Sequence, residues 1–309
     1  MTTRKGVLVG GLQPQDFVVE VDKKTLPIVS FRAVPSPATP APPIETVLLV
    51  DAVNTRFIHV ASERDQIKSF LRENQGKLAQ PTSLVVLTDT GTSVTPQATL
   101  DGNQLAGFLD QAESSLRVIG RADGFYGWVE QFQISIRALH DVLRYEATRP
   151  GRKQLIWVSP GWPLLSGPEV DLTDKQRQGL FDDAASLSRL MRAAQVTLTS
   201  LDPLGTDDAL GYRTTFYEEF TKGIASPRDM QFGNLGLQVL ATQSGGRVLN
   251  SDNDVAKLIG IATADDTTYY TLVVQPPPSE HPNQYRAVHV TVNRQGLTAR
   301  TLTGYYDHP

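Results

Sequence analysis

The chain of 309 residues contains no cysteine. That absence excludes disulfides, thiolate zinc sites, iron–sulfur clusters and a cysteine nucleophile. No stretch reaches the roughly 18 apolar residues that a membrane-spanning helix requires. The opening Met1-Thr2-Thr3-Arg4-Lys5-Gly6 lacks an apolar core, so no signal peptide is expected there. Basic excess is missing too. There are 29 Lys and Arg against 33 Asp and Glu, a net charge of −4. Neutralising phosphates needs surplus cations, so a nucleic-acid partner is not expected. A Gly-x-Ser-x-Gly elbow, a phosphate loop and a dinucleotide fingerprint are all absent. His59, His140, His281, His289 and His308 are scattered, with no His-x-x-x-His pair.

What is present is enough to build a core. Hydrophobic residues make up 40% of the chain, and the length allows about two domains. Val34 to Pro43 holds five prolines, too many for a helix or a sheet interior, so 35–44 reads as an extended linker. Before it, within 1–34, Phe17–Val21 and Ile28–Phe31 read as two strands around a turn at Asp22-Lys23-Lys24. Two strands alone are marginal and need partners from elsewhere in the chain.

Residues 45–264 alternate strand and helix. Thr46–Val50, Ser83–Leu87, Gln154–Val158 and Val196–Leu201 are short apolar runs, as expected of strands covered on both faces. Thr92 to Leu100 reads as a hairpin partner. Asp101, Thr173 or Asp174, and Asp252 or Asn253 are candidate helix caps. Phe132, Ile136, Leu139 and Leu143 form one stripe of a helix over about Trp128–Tyr145. A helix from about Asn234 should end at Gly245-Gly246. Residues 265–309 return to strands, and Ala287–Val292 with Thr298–Thr303 reads as a hairpin. The pattern predicts a doubly wound, mostly parallel α/β sheet, with an accessory β region from both chain ends pairing 265–309 with 1–34.

In such sheets ligands gather at the carboxyl ends of the strands. Asp51 follows the first central strand, with Asn54 and Thr55 close behind. Three oxygens of this kind suit Mg²⁺ or Mn²⁺. The same residues can instead cap the following helix. Ser159, Trp162 and Asp202 follow the next strands and are candidate partner contacts.

The segments Gly11-Leu12 with Asp16-Phe17, Leu48 to Thr55, Pro150 to Ser159, Thr242 to Arg247, Tyr269 to Leu272 and Gly304-Tyr305-Tyr306 together resemble the von Willebrand factor A-related domain proteins of the Acidobacteria type. The resemblance spans nearly the whole chain. It implies a six-stranded von Willebrand A fold and an exported location in the envelope or outside the cell. It also implies a metal-ion-dependent adhesion site of the form Asp-x-Ser-x-Ser. Asp51 and Thr55 match its first Asp and last hydroxyl, but Val53 replaces the middle Ser. The loop 120–127 has no Thr, so Asp123 is the substitute there. Ser159-Pro160 stands where a second Asp belongs. The expected function is a non-catalytic protein- or peptide-binding module with a degenerate metal site. One competing motif, Asp89-Thr90-Gly91-Thr92-Ser93, matches the aspartic-protease signature. That chemistry needs two carboxylates sharing a proton, and no second copy follows. A hairpin turn is the preferred reading of Asp89. A purely structural envelope scaffold is the third alternative.

Overall fold

Strands that are apolar throughout need cover on both faces, and the computed structural model supplies it. The structure describes residues 1–3, 7–34, 44–55, 57–112, 125–162, 172–204 and 216–308. Most of the Pro-rich linker, Asp123 and its loop lie outside them.

The amino end supplies β1 (Thr2–Thr3), β2 (Phe17–Val21), β3 (Lys24–Leu26) and β4 (Ile28–Val34). The central part begins with β5 (Glu45–Asp51), α1 (Phe57–Arg72), β6 (Lys77–Thr88), β7 (Gly91–Val94), β8 (Thr99–Asp101) and α2 (Gly102–Gln111). It continues with α3 (Phe125–Ala147), β9 (Lys153–Val158), α4 (Asp174–Ala193), β10 (Val196–Leu201), α5 (Leu237–Gln243), β11 (Val248–Leu249) and α6 (Val255–Ala264). The tail holds β12 (Tyr269–Val274), β13 (Gln284–Val292), β14 (Leu297–Thr298) and β15 (Gly304–Asp307).

The central sheet runs in the order β11-β10-β9-β5-β6-β7, with β8 also on β6. Strands β11, β10, β9, β5 and β6 are parallel to their neighbours, whereas β7 and β8 run antiparallel to β6. This is a Rossmann-like, doubly wound arrangement. Leu48 is in register with Leu84 and Ile156. These three face Ile67, Leu105 and Ile259 from α1, α2 and α6. Leu49 and Trp157 face the other way, onto Leu139, Leu187 and Leu240 from α3, α4 and α5. The period of two in a strand sends adjacent residues to opposite cores. Burying each of these leucines contributes about 2 kcal/mol.

Local capping follows the sequence closely. Asp101 accepts from the amides of Asn103 and Gln104 at 2.9 and 3.2 Å. Thr173 and Gln176 form a reciprocal capping box at the start of α4. The cap of α6 is Asp254, not Asp252 or Asn253; it accepts from Lys257 N at 2.9 Å. Lys153 is a fully buried cation whose Nζ donates to the carbonyls of Glu146 (2.7 Å), Arg149 and Ala194 (3.1 Å). It thereby serves the carboxyl ends of α3 and α4 at once, where cations are favoured.

Other expectations require correction. The helix from Asn234 is a short 3-10 turn, Phe232–Leu235, followed by α5. Gly236, in extended conformation, separates the two. The two strands expected before the linker, Phe17–Val21 and Ile28–Phe31, do not pair with each other. Instead β2 turns into β3 through Asp22 and Lys23, both at positive φ, the backbone of a tight primed turn. Strand β4 leaves for β12. The tail hairpin also fails to form. Strand β13 lies between β2 and β15, and β14 pairs with β1. The rings of Phe17, Phe31 and Tyr270, with centroids 5.3–5.9 Å apart, join the β4–β12 pair to the β15-β13-β2-β3 sheet.

Candidate functional site

The sheet order places β6 on one side of β5 and β9 on the other. The switch point, where open α/β sheets form their ligand crevice, therefore lies at the carboxyl ends of β5 and β9. Asp51 ends β5 there and is 1% exposed. Its Oδ1 accepts from the amides of Val53 (2.8 Å) and Asn54 (3.0 Å). Its Oδ2 accepts from Asn54 Nδ2 (2.7 Å) and Trp157 Nε1 (2.9 Å). A carboxylate offers about four lone-pair sites, so this one is fully used.

The network continues into α3. Asn54 Nδ2 also donates to Ser135 Oγ at 2.9 Å, and Ser135 Oγ donates to Gln131 O at 2.8 Å. Gln131 Nε2 reaches Val53 O at 3.5 Å. These contacts pin the β5–α1 turn to the first half of α3.

The remaining edge residues are also turned inward. Ser159 is buried; its Oγ accepts from Gly161 N at 3.0 Å, and its amide donates to Leu201 O at 2.8 Å. Asp202 Oδ1 accepts from Leu204 N at 2.9 Å, closing a turn. Trp162, expected as an exposed contact, is 3% exposed. It packs edge-on to Trp157, with centroids 5.4 Å apart, and its Nε1 donates to Leu235 O at 2.9 Å. The exposed tryptophan is Trp128, in the first turn of α3, one turn before Gln131. Asp89 occupies the β6–β7 hairpin turn, next to Thr88, whose Oγ1 bonds Thr90 Oγ1 and Gly91 O.

Mg²⁺ does not fit this set as a ligand of Asp51. Direct ligation would displace one of four internal donors. Val53, at the second motif position, is apolar and buried. No group of three or more acidic or imidazole side chains suited to a metal occurs among the described residues. The atoms left over are Asn54 Oδ1 and Thr55 Oγ1, both buried without a hydrogen-bond partner.

Glu63 adds a feature that sequence reasoning missed. It is 3% exposed on α1, and neither carboxyl oxygen has a hydrogen-bond partner. Burial pushes its pKa well above the ordinary 4.5, and the charge of Asp51 pushes it the same way. The neighbouring Thr55 hydroxyl opposes the shift. The signal was available, because Glu63, Ile67 and Leu71 are spaced i, i+4, i+8 on one helix face. A raised carboxyl favours the folded state while neutral, and that stability is lost as pH rises from the ordinary glutamate range through the folded value. Glu63→Leu should therefore raise stability at pH 8 by about 1–3 kcal/mol and flatten its fall with pH. Urea unfolding of both proteins at pH 5 and pH 8 checks this.

No protein-family model matches the chain, and no curated protein matches it. Among solved structures it is similar to the human COPII-coat protein Sec24c, at 11% identity and a TM-score of 0.36. The match covers 87% of this chain, which spans only 44% of that one.

Proposed function

We propose that the chain is a non-catalytic recognition module of von Willebrand A type, acting at the carboxyl edge of its sheet without a metal ion. The observation that carries this reading is Trp128, 49% exposed on α3 one turn before Gln131, which meets a network whose one central carboxylate is spent on internal donors. Large exposed aromatics are common anchors for protein partners. Gln131, three residues further along α3, and Asn54, joined to it through Ser135, are both half-buried and would supply polar contacts. The partner is a protein or peptide, and the setting is the cell envelope or its exterior.

Calorimetry with Mg²⁺ and Mn²⁺ should give no heat and no thermal shift, since a ligand selective for the folded form must raise stability. A saturable signal with either ion would overturn the metal-free reading. Affinity capture from the native envelope fraction should be lost with Trp128→Ala at unchanged melting temperature. Equal capture by Trp128→Ala and Asn54→Ala would remove the edge from consideration. A peptide library incubated with the protein at acid pH should stay intact; cleavage abolished by Asp89→Asn would replace this reading with a hydrolase.

A further inference from the structure

The seam between the central sheet and the small terminal sheets is incompletely filled. A cavity of about 950 Å³ runs there, between the amino ends of β9 and β10, helix α4 and strands β2, β12, β13 and β15. It lies opposite the carboxyl edge and shares no residue with the Asp51 network. Its size is at the upper end for a small-molecule site, roughly 300–1,000 Å³. Val19, Val21, Met191 and Leu272 contribute apolar wall.

The charged wall is uneven. Arg247 bonds Asp265 at 2.5 Å, and Arg300 bonds the same carboxylate. That acid is therefore committed. Arg152, half-buried, and Arg192, exposed at the rim, have no ion-pair partner among the described residues. Arg152 lies over the ring of Tyr269 at 4.3 Å, and Arg192 over Tyr305 at 4.1 Å. Stacking occupies the face of a guanidinium and leaves its in-plane N–H donors available. Those donors match the oxygens of a carboxylate or phosphate. Asp266 faces Arg152, Asp265 and Arg300, and burial pushes its carboxyl up to about 7. Part of its population is thus neutral near pH 7 and does not repel an anion.

We propose that this cavity binds an amphiphile with one anionic head and an extended apolar body. The head sits on Arg152 and Arg192, and the body lies along Val19, Val21, Met191 and Leu272. Two ring-stacked guanidiniums without an ion-pair partner among the described residues, beside an apolar wall of this size, are the juxtaposition that fits such a ligand.

The test uses the full chain and a dansyl-labelled undecanoate as probe. A saturable rise in emission is expected, and the methyl ester of the probe should bind about tenfold more weakly, having lost the charge-assisted bonds. Arg152→Gln combined with Arg192→Gln should weaken the acid by a similar factor, with the circular dichroism unchanged. Displacement by oleate assigns a carboxylate head, and displacement by lysophosphatidate alone assigns a phosphate head. No saturable binding, ester binding as tight as acid binding, or unchanged affinity in a folded double variant overturns the proposal. Should the double variant not fold, the ester comparison on the unaltered chain still decides.

Discussion

Asp51→Ala is expected to lower the free energy of unfolding by about 4 kcal/mol, measured by urea denaturation at unchanged slope. The estimate follows from the donors left behind. Four N–H groups converge on this carboxylate, from Val53, from Asn54 twice and from Trp157. Each buried donor without an acceptor costs about 1–3 kcal/mol. Asn54 is only half-buried, and water can reach its side chain. The Trp157 indole is fully buried, so its donor is stranded. Asp51→Asn should cost less, about 2 kcal/mol, because it keeps one acceptor oxygen. A loss below about 1 kcal/mol for the alanine variant would mean that the network does not hold the switch point together. The metal question turns on the same bonds, since an ion bound directly to Asp51 has to break one of them.

Gly246→Ala is expected to cost more than about 4 kcal/mol or to prevent folding, read as loss of the cooperative unfolding transition. A Cβ at this position would lie 1.7 Å from Leu198 O and 2.7 Å from Leu198 C. Both are backbone atoms of β10, so no rotamer change relieves the clash. The close approach exists because the end of α5 is bonded to β10. Leu198 N donates to Ser244 Oγ at 3.0 Å, and Ser200 N donates to Arg247 O, just past α5, at 2.9 Å. Moving α5 away to admit a methyl group would uncover Leu240 and break these bonds. Gly179→Ala in α4 is the control, because nothing lies within 4 Å of its Cβ position. It should stabilise the protein by about 0.5–1 kcal/mol through helix propensity. If both variants behaved alike, backbone contact with β10 would not be the cause.

Gly246 also shows how far the chain could be read in advance. Gly245-Gly246 looks like a helix stop, and Gly245 does have a positive φ of 84°. Nothing local reveals that Gly246 touches the backbone of Leu198, a residue of another element. Trp157 and Trp162 make the same point. One lies in an apolar run and the other in a loop, so only the first reads as core. Both are buried against each other, because the loop after β9 folds back beneath the 3-10 turn at Leu235. Sequence alone therefore points to Trp162 as the exposed aromatic, while Trp128 reads as part of a helix with an apolar stripe. Asp51 was identified as central, but its four donors were not, because Trp157 stands 106 residues away.

The sequence by itself determined the alternation of central strands and helices, the cap at Asp101, a cap at Thr173 or Asp174, and the break at Gly245. Each rests on chemistry within a few residues: an apolar run, a side-chain oxygen three positions before an amide, a residue able to adopt positive φ. Only the tertiary structure decided that β4 joins β12, that β13 lies between β2 and β15, that Asp51 is saturated, and that the ring-stacked Arg152 and Arg192 come to one cavity at the seam. Periodicity tells which face of an element is apolar. It does not tell which surface comes to cover that face, because the covering residues arrive from the far end of the chain.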